Sequence, residues 1–144
     1  MIKRIERDFT SVAEAKGITL TCLSDSSVYV LADKVYLTQI LENLVSNAIK
    51  FSNSQTEVKL NVKSNKKEVI FIVADQGPGF TKKDQEKIFK KYQQLSAKST
   101  AGEPSTGLGL SIVKMFAEMM KGSVSFETEE GVGTTFYIHM PIAE

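Results

Sequence analysis

Apolar residues recur along the chain in two rhythms, three to four residues apart in some stretches and every second residue in others. Ile2, Ile5, Phe9 and Val12 fall at helical spacing in MIKRIERDFTSVAEAKG, a helix that Gly17 stops. Residues 18–23 and 28–31 alternate as short strands. Asp33 is placed to cap a long helix running to about residue 51. Residues 57–62 and 68–74 alternate as strands on either side of the polar turn Ser64-Asn65-Lys66-Lys67. DQGPGF then stops the second strand in a loop, and Thr81 caps a helix over about residues 82–92. Residues 93–106 are polar and patternless and read as a mobile loop. A helix over about residues 108–120 and strands near 123–128 and 134–140 complete the chain, the strands joined at Gly131 and Gly133. Helices and strands are intermixed and hairpin-like pairs dominate. The expected fold is α+β, a mixed sheet with helices packed on one face.

Composition narrows the possibilities. A chain of 144 residues with 42% hydrophobic content can bury the core of one domain. The net charge of +1 supplies no field that would draw it to nucleic acid or anionic lipid. One cysteine, Cys22, excludes an internal disulfide, and one histidine, His139, speaks against a Cys/His zinc site. The longest apolar run, residues 69–74, is too short to span a bilayer. A soluble, cytoplasmic domain without membrane contact of its own is the expectation, with the parent protein free to be membrane-anchored.

Three stretches carry candidate chemistry. The first is NLVSNAIKFS, residues 43–52. With roughly 100° between successive helical residues, Asn43, Asn47 and Lys50 share an arc of about 60°, opposite Leu41, Leu44, Val45, Ala48 and Ile49. An ordinary surface helix shows the same segregation. A ligand carrying magnesium and phosphate would also use it: an asparagine carbonyl is a hard neutral oxygen and a lysine is a point cation. The second is VIFIVADQGPGF, where a strand delivers Asp75 beside Gly77 and Gly79. A carboxylate there can accept from an exocyclic amine such as adenine's, and the glycines permit close backbone approach. An Asp-Gly turn alone would look no different. The third is STGLGLSIVKMFAEMM, where Gly107 and Gly109 enter an amphipathic helix whose first N–H groups can receive phosphate oxygens. It is neither a P-loop nor a dinucleotide fingerprint, because no GK[ST] follows and no strand precedes it.

In this order, over about residues 5–141, the three stretches resemble the ATPase superfamily of gyrase, a heat-shock chaperone, histidine kinases and MutL. The resemblance is strongest to the ATP-binding catalytic domain of bacterial sensor histidine kinases. NLVSNAIKFS is similar to that family's N box, DQGPGF and TGLGLS to its two glycine boxes, and IFKKY to its phenylalanine box. GVGTTFYIHMP is similar to its closing strand. The resemblance implies a two-layer α/β sandwich of Bergerat type, with about five mostly antiparallel strands on about three helices. Residues 1–16 would then be the tail of a preceding helical domain or a linker, and 17–144 the catalytic domain.

It further implies ATP and Mg²⁺ as cofactors, with Asn47 on the metal, Asn43 beside it near the phosphates, and Lys50 on phosphate. Phe51 would line the adenine pocket, Asp75 would bind the adenine amine with Thr134 helping through a shared water, and Gly77, Gly79 and Ile88 would border the base. Gly107, Leu108, Gly109 and Leu110 would cradle phosphates beneath a lid formed by residues 93–106. Phe89 and Tyr92 match the aromatic positions that couple lid and partner domain in the family, although core packing explains them equally. Pro104-Ser105 stands where the family often has a further glycine.

The implied partners are a histidine-bearing dimerisation domain and a response-regulator receiver, with a monomeric fragment of a homodimeric parent. His139 does not match the acceptor, because Met140 rather than an acidic residue follows it. Within the superfamily, hydrolysing members place a glutamate base where this chain has Asn43, and an amide cannot take a proton from water. That favours transfer to a ready nucleophile over hydrolysis. The alternatives are a stand-alone serine kinase of anti-sigma-factor type, which IFKKY and Lys50-Phe51 argue against, and a nucleotide-binding regulatory module without transfer.

Overall fold

The computed structural model describes residues 2–24, 33–89 and 109–142. In these, α1 (Ile2–Ala15), β1 (Thr19–Ser24), α2 (Lys34–Phe51), β2 (Glu57–Ser64), β3 (Glu68–Asp75), α3 (Lys82–Gln85), α4 (Gly109–Met119), β4 (Ser123–Glu129) and β5 (Gly133–Pro141) follow one another. The strands form one sheet in the order β1-β2-β3-β5-β4. Only β1 and β2 run parallel, with α2 as their crossover, and the other three pairings are antiparallel. The expected mixed sheet with helices on one face is therefore present.

Strict alternation produces this layering. Val58, Leu60 and Val62 of β2, Val69, Phe71 and Val73 of β3, and Phe136, Ile138 and Met140 of β5 are all buried on one face. Leu37, Leu41, Leu44, Val45 and Ala48 of α2 meet that face, and α4 adds Val113 and Ala117. The helix ends follow their local chemistry. Asp33 Oδ1 accepts from the N–H groups of Val35 and Tyr36 and starts α2 where expected. At the end of α1, Gly17 (φ 73°) donates to Glu14 O and Ile18 to Ala13 O, a complete Schellman motif.

One element differs from expectation. The helix after Thr81 covers only Lys82–Gln85 among the described residues, although Thr81 and Asp84 form the capping box. Lys87 N–H then bonds Asp84 O, an i to i+3 contact that tightens the chain into a turn. The expected strand at 28–31 and the loop at 93–106 lie outside the described residues. No described helix is long and apolar enough to cross a membrane.

Candidate functional site

The last three turns of α2 present Asn43, Asn47 and Lys50, all half-buried, while Leu44, Val45, Ala48 and Ile49 are buried in the core. The first residue of α4 lies directly over the asparagines. A methyl group on Gly109 would stand 3.6 Å from Asn47 Nδ2 and 3.7 Å from Asn43 Oδ1. Gly109 of the second glycine motif and the asparagine stripe, about sixty residues apart in sequence, thus meet in space.

Asp75 ends β3 opposite Thr134 of β5. Its Oδ1 accepts from Gly77 N–H at 2.8 Å and from Thr134 N–H at 3.3 Å. Its Oδ2 has no hydrogen-bond partner among the described residues. Burial raises the carboxyl above its ordinary value, and the two N–H groups only partly counter this. Gly133 lets β5 pass close to the backbone of Asp75: its φ is 154°, and a Cβ there would lie 2.2 Å from the Asp75 backbone carbonyl oxygen. Thr134 Oγ1 pairs with Thr128 Oγ1 at 2.8 Å, and Thr128 Oγ1 in turn accepts from Phe80 N–H at 2.9 Å.

Between α2 and this end of the sheet lies a cleft of about 430 Å³, counted out to its open mouth. Among the described residues, Asn47, Asp75 and Thr134 are its polar groups, and Phe51, Gly79 and Leu110 stand on its wall. The rest of the described wall is apolar: Leu44, Ala48, Val73, Pro78, Phe80 and Phe136. Phe80 and Phe136 cross edge to face at 6.2 Å. A cleft with apolar walls and a few convergent polar groups suits a flat heterocycle that carries one amine donor.

The expected site residues divide as follows. Asn47, Phe51, Asp75, Gly79, Leu110 and Thr134 line the cleft; Asn43 and Gly109 adjoin it, and Lys50 shares its helix end. Gly77 stands behind Asp75 and holds it by its N–H rather than facing the cleft. Gly79 is demanded by the fold as well, since at φ 71° a Cβ would lie 2.3 Å from Glu129 O. Ile88 is buried in the core rather than on the cleft wall, because the turn after α3 directs its aliphatic side chain inward. Gly107, Leu108 and Tyr92 lie outside the described residues. Phe89 packs edge-on against Phe126 at 6.0 Å. Sequence reasoning missed Thr128 and the walls Val73, Phe80 and Phe136. The alternation that buries them gives no sign that their face opens into a cleft.

The chain matches the model of the histidine kinase-, DNA gyrase B-, and HSP90-like ATPase family over residues 32–144. It is 32% identical to the sensor protein EvgS of Escherichia coli over 149 residues, covering 99% of this chain and 12% of that protein. It is 34% identical to the sensor histidine kinase WalK of Bacillus subtilis, covering 85% of this chain and 20% of that protein. The chain therefore spans a small part of these relatives. Among solved structures, the catalytic domain of histidine kinase ThkA superposes with a TM-score of 0.84 at 26% identity, over 99% of this chain and 92% of that one. Full-length ShkA in complex with AMPPNP does so at 0.83 and 32% identity, over 99% of this chain and 30% of that one. On this cleft, this sheet order and these matches, the chain belongs to the histidine kinase-, DNA gyrase B-, and HSP90-like ATPase family, among the catalytic domains of sensor histidine kinases.

Proposed function

We propose that this domain binds magnesium-ATP and presents its terminal phosphoryl group to a histidine on a separate dimerisation domain, as the donor half of a two-component kinase. The observation that carries the reading is Asp75. One of its carboxylate oxygens is fixed by two backbone N–H groups, and the other is left to accept an amine at the polar end of an apolar cleft. The donor set fits the rest of the ligand. Asn47 offers a neutral amide oxygen for a magnesium ion that also holds phosphates, Lys50 a cation, and the start of α4 its helix-terminal N–H groups. Bound magnesium-ATP supplies the transferable phosphoryl and the divalent charge that neutralises it.

The residues of the chain then bind and orient. Asp75 and Thr134 select the base, and Phe51, Phe80 and Phe136 exclude water around it. Asn43 and Asn47 hold position without taking a proton, so no side chain of the stripe activates water. Catalysis rests on placing the donor against a nucleophile supplied by another domain. The cytoplasmic setting, the homodimeric parent and a receiver domain as the later acceptor belong to the same reading.

Calorimetry and transfer test it together. ATP should bind with magnesium dependence; Asp75→Ala should abolish binding, and Asn47→Ala should mainly remove the magnesium dependence. A histidine-bearing dimerisation domain added in trans with labelled ATP should become phosphorylated, while the domain alone hydrolyses ATP slowly. Absence of ATP binding, or rapid turnover without an acceptor, overturns the proposal. Binding without transfer would identify a regulatory nucleotide module instead.

A further inference from the structure

Helix α2 delivers Asn47, Lys50 and Phe51 from its final turns, so the position of its C-terminal end decides where those groups stand. A helix leaves its last four carbonyls without intrahelical donors. In α2 they are those of Ala48, Ile49, Lys50 and Phe51. Ser52 Oγ donates to Ala48 O at 2.6 Å. The next two carbonyls are taken from outside the helix: Lys16 Nζ donates to Ile49 O at 3.0 Å and to Lys50 O at 3.1 Å. These contacts reach across more than thirty residues, from the corner between α1 and β1.

That corner is itself held firmly. The Schellman motif at Gly17 fixes the backbone on either side of Lys16. Gly17 O accepts from Gln55 N–H at 2.7 Å, and Thr19 N–H bonds Thr56 O at 3.1 Å, so the segment leaving α2 is stitched to the same corner. The fourth carbonyl, Phe51 O, faces Gly77, where a Cβ would lie only 3.1 Å away, and Gly77 N–H holds Asp75. Lys16, the end of α2, Gly77 and Asp75 thus form one continuous path. A cation at the negative end of the helix dipole also suits this place electrostatically.

We infer that Lys16 is a positioning residue of the nucleotide site: its ammonium clasps the C-terminal turn of α2 and sets Phe51 against the cleft, with Lys50 beside it. The inference rests on the nucleotide-binding reading above. It does not make Lys16 a ligand, since two of its donors go to backbone carbonyls and it does not line the cleft.

The test compares wild type, Lys16→Met, Lys16→Arg and Lys67→Met, the last on the β2–β3 turn far from the cleft. ATP affinity is measured by calorimetry well below each variant's melting temperature, and Tm is recorded alongside. Lys16→Met is expected to weaken ATP binding by roughly three- to tenfold, the order associated with a charge at a helix terminus. Lys16→Arg, which keeps a cationic donor, is expected to recover most of that loss, and Lys67→Met to bind as wild type does. A merely structural lysine would lower the Tm of Lys16→Met while leaving its affinity unchanged, and that result overturns the inference. If Lys16→Met does not fold, the milder Lys16→Gln decides: a weakened ATP affinity in the folded variant supports the clasp, and wild-type affinity with a lowered Tm refutes it. Failure of wild type to bind ATP would refute the nucleotide reading instead, so the two failures are distinguishable.

Discussion

Asp75 shows most clearly how its proposed binding role works against stability in this molecule. Its carboxyl sits where burial disfavours the charged form, and its pKa is raised above the ordinary carboxylate value. The native state therefore holds its proton more tightly than the unfolded chain does. Stability from this group is fully present at pH values below the ordinary carboxylate pKa and is lost as the pH rises through the raised one. Above the raised value the ligand-free domain carries an ionised group it would be more stable without. Asp75→Asn keeps an oxygen to accept from Gly77 and Thr134 and removes the charge. It should raise the Tm at pH 7–8, with the gain over wild type shrinking as the pH falls toward 4. It should also weaken ATP binding by roughly tenfold or more, the scale of a hydrogen bond to a charged group. Melting curves at several pH values with parallel calorimetry check both. A variant less stable than wild type at neutral pH would show that the carboxylate's charge-assisted bonds outweigh its burial.

At the scale of elements, the helices were far more legible than their meeting places. Asp33 followed by apolar residues at helical spacing marked α2 from its cap to Phe51, because capping and periodicity are local. The strands were equally visible from alternation. Three things were not. The parallel pairing of β1 with β2 depends on how α2 crosses over, which no local pattern records. The apolar cleft wall shares its rhythm with the core, so nothing in the pattern sets Phe80 and Phe136 apart from ordinary packing residues. Lys16 is one of many lysines until the fold places it at a helix end. The candidate site was therefore readable in its polar members and hidden in its walls and supports. The cap of α2 supplies a test at this scale. Asp33→Ala leaves two N–H groups without their acceptor and should cost about 1 kcal/mol. In a domain of this size that corresponds to a fall in Tm of about 3 °C. Because Asp33 begins the helix whose far end carries Asn47 and Lys50, ATP affinity should not change. A loss of affinity would mean that α2 moves as a rigid lever rather than being held locally at its C-terminal end.

For the whole molecule the open matter is where the folded unit begins. The family match starts at residue 32, and residues 1–16 were expected to be the tail of another domain or a linker. The packing supports a closer attachment. Ile5 and Ala13 of α1 are fully buried, Phe9 and Ile2 pack against the same core, and Lys16 reaches the end of α2. Val12 on the same helix is 50% exposed, so one face of α1 is spent on this core and another is not. The two possibilities predict different energetics. If α1 is integral to the domain, Ile5→Ala leaves a cavity in the shared core and should cost about 2–4 kcal/mol. Val12→Ala should then cost less than about 0.5 kcal/mol, as surface substitutions do. If α1 is only a linker resting on the domain, its detachment limits the loss, and Ile5→Ala will barely move the melting transition of the remainder. Chemical denaturation of the two variants beside wild type separates these outcomes. A cooperative single transition shifted only by Ile5→Ala would place α1 inside the folding unit, and with it the lysine that reaches the end of α2.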